Sequence, residues 1–150
     1  MKVLIVEDTD IKRKVLSDFI ATNYANSDIV EAVSFQDGVD KLKYGPYDIV
    51  LLDMTMPTYN ITSEDAGGKK RPFAGREIIS KMFRRKLHYP VIVVTRFDVF
   101  PDEHCNITLQ ELHSQLTDEY SSVYKGYVFY DQVKTGWIND LADKINNILK

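Results

Sequence analysis

The stretch Ile49–Pro57, IVLLDMTMP, sets four apolar residues in a row, follows them with a carboxylate at Asp53 and ends on a proline. A continuous Val/Ile/Leu run without polar alternation marks a strand covered on both faces. Val3–Val6 and Val91–Val94 share the pattern, and weaker strands are read from Asp28 (DIVEAV) and from Tyr127 (YVFY). Helical periods lie between them. Ile11, Val15 and Phe19 recur at every fourth position behind Asp8 or Thr9 as cap, and a helix is expected over about Phe35–Lys43. Ile78, Ile79, Met82 and Phe83 form another apolar face, as do Leu109, Leu112, Leu116 and Tyr120, and then Ile138, Leu141, Ile145 and Ile148. Strands alternating with helices predict one α/β domain, a doubly wound five-stranded parallel sheet with helices on both faces.

Composition narrows the function classes. At 150 residues the chain is large enough for one domain with a real hydrophobic core. Its 19 Lys+Arg against 22 Asp+Glu give a net charge of −3, so no broad electrostatic pull draws it to nucleic acid or to an anionic membrane. The lone Cys105 cannot form an intramolecular disulfide, and with His104 beside it no ligand set is spaced for zinc. The apolar runs are too short to cross a bilayer, and Glu7 and Asp8 interrupt the start before a signal peptide could form. A soluble, cytoplasmic protein is expected.

In a doubly wound sheet, ligands bind beyond the carboxyl ends of the strands, where strand order reverses. Glu7 and Asp8 close the first strand and Asp53 closes the third, so three acidic side chains are expected to converge on one small volume. Like charges that close repel unless a cation or a proton intervenes. An all-oxygen donor set suits Mg²⁺ rather than zinc or copper. The plainer alternative is that Glu7 and Asp8 only cap the first helix; the third carboxylate, and Thr95 ending another strand, weigh against it.

KVLIVED, IVLLDMTMP and PVIVVT together resemble the receiver domain of two-component response regulators, a flavodoxin-like fold whose order of elements matches over nearly the whole chain. The resemblance implies that Asp53 accepts a phosphoryl group from a histidine kinase or another phosphodonor. It implies that Asp8 and Asp53 ligate Mg²⁺ with the backbone carbonyl of Thr55, while Glu7 acts through water. Thr95 and Tyr127 take the places of the hydroxyl and aromatic switch residues. The metal would offset charge on the phosphoryl group, leaving positioning and electrostatics to the protein.

The chain also departs from the pattern. Receivers end the fifth strand with a lysine, and here the alignment that puts Tyr127 in the switch place puts Tyr130 there; Lys134 is the candidate to reach back. Arg96 stands where receivers generally have a small residue, and it either shields the site or replaces the missing cation. Two stretches are longer than the family needs, at about 58–74 and 97–108. The first is polar and Gly-containing and is expected as a mobile loop beside the site. The second lies ahead of the fourth helix, on the face where receivers commonly signal. Lys69–Arg71 and Arg84–Lys86 read as solvated charge, and Trp137, Phe100 and Tyr124 as packing residues.

The reading is a stand-alone receiver that acts on an unidentified protein partner, with no direct nucleic-acid contact and no substrate turnover, the length leaving no room for a DNA-binding output domain. Its alternative is a pseudo-receiver, an interaction module that works without phosphorylation. A phosphatase of the haloacid dehalogenase type would also end a strand on an aspartyl nucleophile, but it needs a second Asp two residues on, where this chain has Thr55.

Overall fold

The computed structural model describes residues 1–102 and 105–150; His104 lies outside them. Five strands, β1 (Lys2–Val6), β2 (Asp28–Ala32), β3 (Ile49–Leu52), β4 (Val91–Thr95) and β5 (Tyr124–Phe129), form one parallel sheet in the order β2-β1-β3-β4-β5. The helices are α1 (Asp10–Asn23), α2 (Phe35–Lys41), α3 (Ala74–Arg84), α4 (Leu109–Tyr120) and α5 (Gly136–Leu149). Strand order reverses between β1 and β3, which places the crevice at the carboxyl ends of those two strands.

Alternation along each strand divides the core into two layers. Val3, Ile5, Ile49, Leu51, Ile92, Val94, Val128 and Tyr130 face α1 and α5, packing with Leu16, Phe19, Ile20, Trp137, Leu141 and Ile145. Leu4, Val6, Val50, Leu52, Val91, Val93 and Tyr124 face α2, α3 and α4. Trp137, Phe100 and Tyr124 are all buried, as expected of packing residues.

Helix α1 corrects the sequence reading. Ile11 is 72% exposed, and the buried positions are Lys12, Leu16, Phe19 and Ile20. The true core stripe therefore begins on a lysine. Strand β5 starts earlier than expected, at Tyr124, because its register with β4 shifts between Val91 and Val93, and Gly126 (φ +124°) breaks the alternation there.

Both long stretches are closed by short antiparallel ladders. Met56–Pro57 pair with Lys70–Arg71, and Val99–Phe100 pair with Ile107–Thr108. The first is also tied by hydrogen bonds within it and to α2's N-cap. Thr58 Oγ1 donates to Lys69 O at 2.5 Å, Tyr59 N to Gly67 O at 2.8 Å, and Ser34 Oγ to Asn60 Oδ1 at 2.7 Å. Gly67 and Gly68 turn the chain at φ +91° and +70°, a region closed to most side chains.

After that hairpin the chain enters α3 directly beneath the end of β3. Gly75 N donates to Met54 O at 2.9 Å, and a Cβ on Gly75 would sit 2.6 Å from the Asp53 carbonyl oxygen and 3.0 Å from Met54 Cα. Gly75→Ala should therefore cost about 1–3 kcal/mol through backbone displacement, outweighing the ~1 kcal/mol that alanine ordinarily gains in a helix. Chemical denaturation checks this; an unchanged or raised midpoint would mean that α3 does not approach the site this closely.

Candidate functional site

Each carboxylate is delivered by a strand end. Glu7 continues the face of Val3 and Ile5, and its N–H still bonds to Ala32 O at 2.9 Å. Asp53 continues the face of Ile49 and Leu51, with its N–H on Val6 O at 3.0 Å. By strand alternation both point to the α1/α5 layer. Asp8, half-buried, follows in the turn before α1. One carboxylate oxygen from each of Glu7, Asp8 and Asp53 lies within 4.8 Å of the others.

The sequence reading missed the group that sits among them. Lys12, only 3% exposed, rises from α1 and places Nζ 2.6 Å from Glu7 Oε2 and 3.4 Å from Asp53 Oδ2. It donates to Val94 O at 2.6 Å and lies 5.7 Å from the centre of the Tyr130 ring. A hydrophobic period cannot select a lysine, but the spacing 12, 16, 19, 20 reads back to it once the buried face is known.

The remaining contacts fix the carboxylates. Asp53 Oδ1 accepts from Met54 N at 2.7 Å, and Glu7 Oε1 accepts from Thr9 N at 3.0 Å. Glu7 Oε2 is ion-paired with Lys12 but off hydrogen-bond alignment, so this buried oxygen has no aligned donor. Burial first, and the Asp53 charge second, push the Glu7 pKa up, against the opposing pull of Lys12. Burial likewise raises Asp8, helped by Glu7 and partly offset by Lys70 of the first hairpin.

The other sequence candidates fall in four places. Thr95 is fully buried beside the cluster's strand edge, its Oγ1 accepting from Phe97 N at 3.2 Å. Tyr127 lies on the opposite layer against α4, with its ring 5.1 Å from His113 and its hydroxyl donating to Gln110 Oε1 at 3.4 Å. Thr55 Oγ1 donates to Pro72 O at 2.9 Å, tying the loop after β3 to the residues leading into α3. Arg96 and Lys134 are both exposed, and among the described residues neither has an ion pair to the cluster. Arg96 instead lies over the Phe97 ring. Tyr130, 4% exposed, follows the end of β5 with its N–H on Thr95 O at 2.7 Å.

The response regulator receiver domain matches residues 3–108, and the chain belongs to that family. It is 37% identical over 150 residues to the Detocs response regulatory protein DtcB of Enterobacter cloacae, covering 99% of this chain and 100% of that one. It is 32% identical over 139 residues to an uncharacterized protein, y4jR, of Sinorhizobium fredii, covering 91% of each. A LuxR-family DNA-binding response regulator from Staphylococcus aureus superposes with a TM-score of 0.68 at 17% identity, covering 99% of this chain and 98% of that one. The Thermotoga maritima response regulator TrrA, solved with Mg²⁺ and BeF, gives 0.62 at 19%, covering 98% and 97%. At such identities these structures speak to the fold. Receiver domains of two-component systems are generally signalling modules rather than turnover enzymes, and no helix among the described residues is long and apolar enough to cross a membrane.

Two outcomes follow from this electrostatic arrangement. Lys12→Met strands two buried carboxylates and should cost about 3–5 kcal/mol at neutral pH without metal, whereas Asp53→Asn leaves a one-to-one Glu7–Lys12 pair and should cost little or nothing; urea denaturation in EDTA separates the two. Because Glu7 holds its proton more tightly folded than unfolded, its contribution is complete below its ordinary value of 4.5 and is lost as pH rises through the raised one. Metal-free wild type should therefore lose stability relative to Glu7→Gln as pH rises from acid to neutral. An opposite slope would show Glu7 to be stabilised as the anion.

Proposed function

We propose that this chain is a receiver that accepts a phosphoryl group on Asp53 with the help of Mg²⁺ and passes on the change by protein–protein contact. The observation that carries the reading is the convergence of Glu7, Asp8 and Asp53 at the switch point of the sheet, their oxygens within 4.8 Å of one another. The donor set fits the metal: it is all oxygen, suited to a hard cation, and it includes a buried carboxylate oxygen that lacks an aligned donor. Asp8, Asp53 and the Thr55 backbone carbonyl would hold Mg²⁺, with Glu7 acting through water. Bound there, Mg²⁺ supplies positive charge to the transferring phosphoryl oxygens.

The residues of the chain divide the remaining work. Asp53, held by the Met54 N–H, is the nucleophile. Thr95 exchanges its contact with Phe97 N for the new phosphate, and Tyr127, now resting on His113 and Gln110, follows it and so reports to α4. The phosphodonor is a histidine kinase or a small acyl phosphate, and the output partner is a protein meeting the α4–β5 face. A cytoplasmic location, with no direct nucleic-acid or membrane contact and no substrate turnover, goes with this reading. The full-length likeness to a response regulatory protein supports it.

Two observations favour the pseudo-receiver as a second reading. The Lys12 ammonium already partly neutralises the cluster, and Tyr130 fills the end of β5 where receivers carry their lysine. Incubation with acetyl phosphate and Mg²⁺, followed by intact-mass measurement, decides between the two. The receiver reading expects one added phosphoryl group, lost in Asp53→Asn and when Mg²⁺ is withheld. It also expects a Mg²⁺-dependent rise in melting temperature that an Asp8→Asn, Asp53→Asn double variant lacks. An unlabelled wild type whose Mg²⁺ response matches that of the double variant would leave the pseudo-receiver standing.

A further inference from the structure

Resting on Asp53 as the phosphoacceptor, we infer that Lys12 of α1 is the cation that pairs with the phosphoryl group, a task that receivers otherwise assign to a lysine at the end of the fifth strand.

The charge balance requires such a group. In the transfer an Asp53 oxygen forms a bond to phosphorus as the bond from phosphorus to the donor atom breaks, an oxygen in an acyl phosphate or an imidazole nitrogen in a phosphohistidine, and the leaving group departs with that electron pair. No electron is exchanged with a redox partner and no proton is needed when the leaving group is a carboxylate. Asp53 changes from a monoanion into an acyl phosphate that carries further negative charge in the same buried pocket. A metal alone leaves part of that charge unpaired, and a charge-assisted hydrogen bond from an ammonium is the strong way to meet it.

Lys12 is the ammonium in position. Its Nζ is 3.4 Å from Asp53 Oδ2, and among the described residues no other Lys or Arg nitrogen is ion-paired with Asp53. Its bond to Val94 O, at 2.6 Å, anchors it to β4 one residue before Thr95, the candidate hydroxyl switch. The ion pair with Glu7, at 2.6 Å, holds it at the cluster. A lysine stem is flexible enough for the ammonium to shift from Glu7 toward a new phosphate without moving the helix.

Tyr130 explains why the cation comes from α1. Its buried ring lies 5.7 Å from Lys12 Nζ and 5.1 Å from the Trp137 ring, filling the space that a lysine from β5 would cross. Lys134 is out in solvent beyond it. On this assignment the charge sits on the helix and the packing bulk on the strand.

The test follows acetyl phosphate labelling with Mg²⁺ by intact mass, and Mg²⁺–beryllofluoride binding by fluorine NMR, in wild type, Lys12→Gln, Lys134→Ala and the exchange variant Lys12→Met, Tyr130→Lys. Circular dichroism establishes that each is folded. Lys12→Gln keeps a donor for Val94 O but removes the charge; it should label at least about ten-fold more slowly and bind beryllofluoride more weakly by a similar factor. The exchange variant should recover most of both. Folded Lys12→Gln that labels and binds like wild type would overturn the assignment, as would a loss that follows Lys134→Ala instead. If Lys12→Gln fails to fold, the exchange variant decides: labelling supports the assignment and its absence overturns it. A wild type that neither labels nor binds beryllofluoride removes the phosphoacceptor reading itself, a result distinct from a defect confined to Lys12 variants.

Discussion

Three carboxylates cannot share a poorly solvated pocket at neutral pH without positive charge or protons to separate them. In this chain one positive charge is built in, carried by the Lys12 ammonium between Glu7 and Asp53 and anchored on Val94 O. The geometry around it follows from that requirement. Helix α1 is turned so that position 12 faces the core and Ile11 faces solvent, although a purely hydrophobic choice would be the reverse. Tyr130 packs beside the ammonium and Trp137 beside Tyr130, so a charge buried at the sheet edge is continuous with the core layer under α5.

The same pocket ties the two faces of the sheet together. Glu7, Asp53 and Tyr130 belong to the α1/α5 layer, whereas Tyr127 belongs to the α4 layer; Thr95, at the end of β4, lies between them in position. Under the proposed function, a change of charge on Asp53 would be felt first on the α1 side, and a hydroxyl moving at Thr95 would carry it to the side where Tyr127 rests on His113. The first hairpin adds a rim: Lys70 offsets part of the raised affinity of Asp8 for its proton, and Thr55 is bonded to Pro72 at the hairpin's end.

Much of this was legible in the residues. Continuous Val/Ile/Leu runs read as buried parallel strands because both faces of such a sheet are covered, and the acids after Val6 and Leu52 could be placed at its carboxyl edge from strand order alone. Lys12 was not legible, because a hydrophobic period starting at Ile11 assigns a lysine to solvent, and only the neighbouring buried acids make its burial favourable. The early start of β5 was hidden by the bulge at Gly126, where alternation breaks. The first hairpin looked like a loop because its order comes from long-range bonds such as Ser34 to Asn60, which composition does not reveal.

The most direct measurement is a crystal structure of the wild-type protein with Mg²⁺ and beryllofluoride, the mimic of the phosphorylated aspartate. The mimic is expected on Asp53, with Lys12 Nζ within hydrogen-bond distance of a fluoride, Tyr130 still filling the end of β5, and Lys134 in solvent. A Lys12 ammonium that stays on Glu7 and Val94 O while Lys134 or Arg96 closes over the fluoride would contradict this.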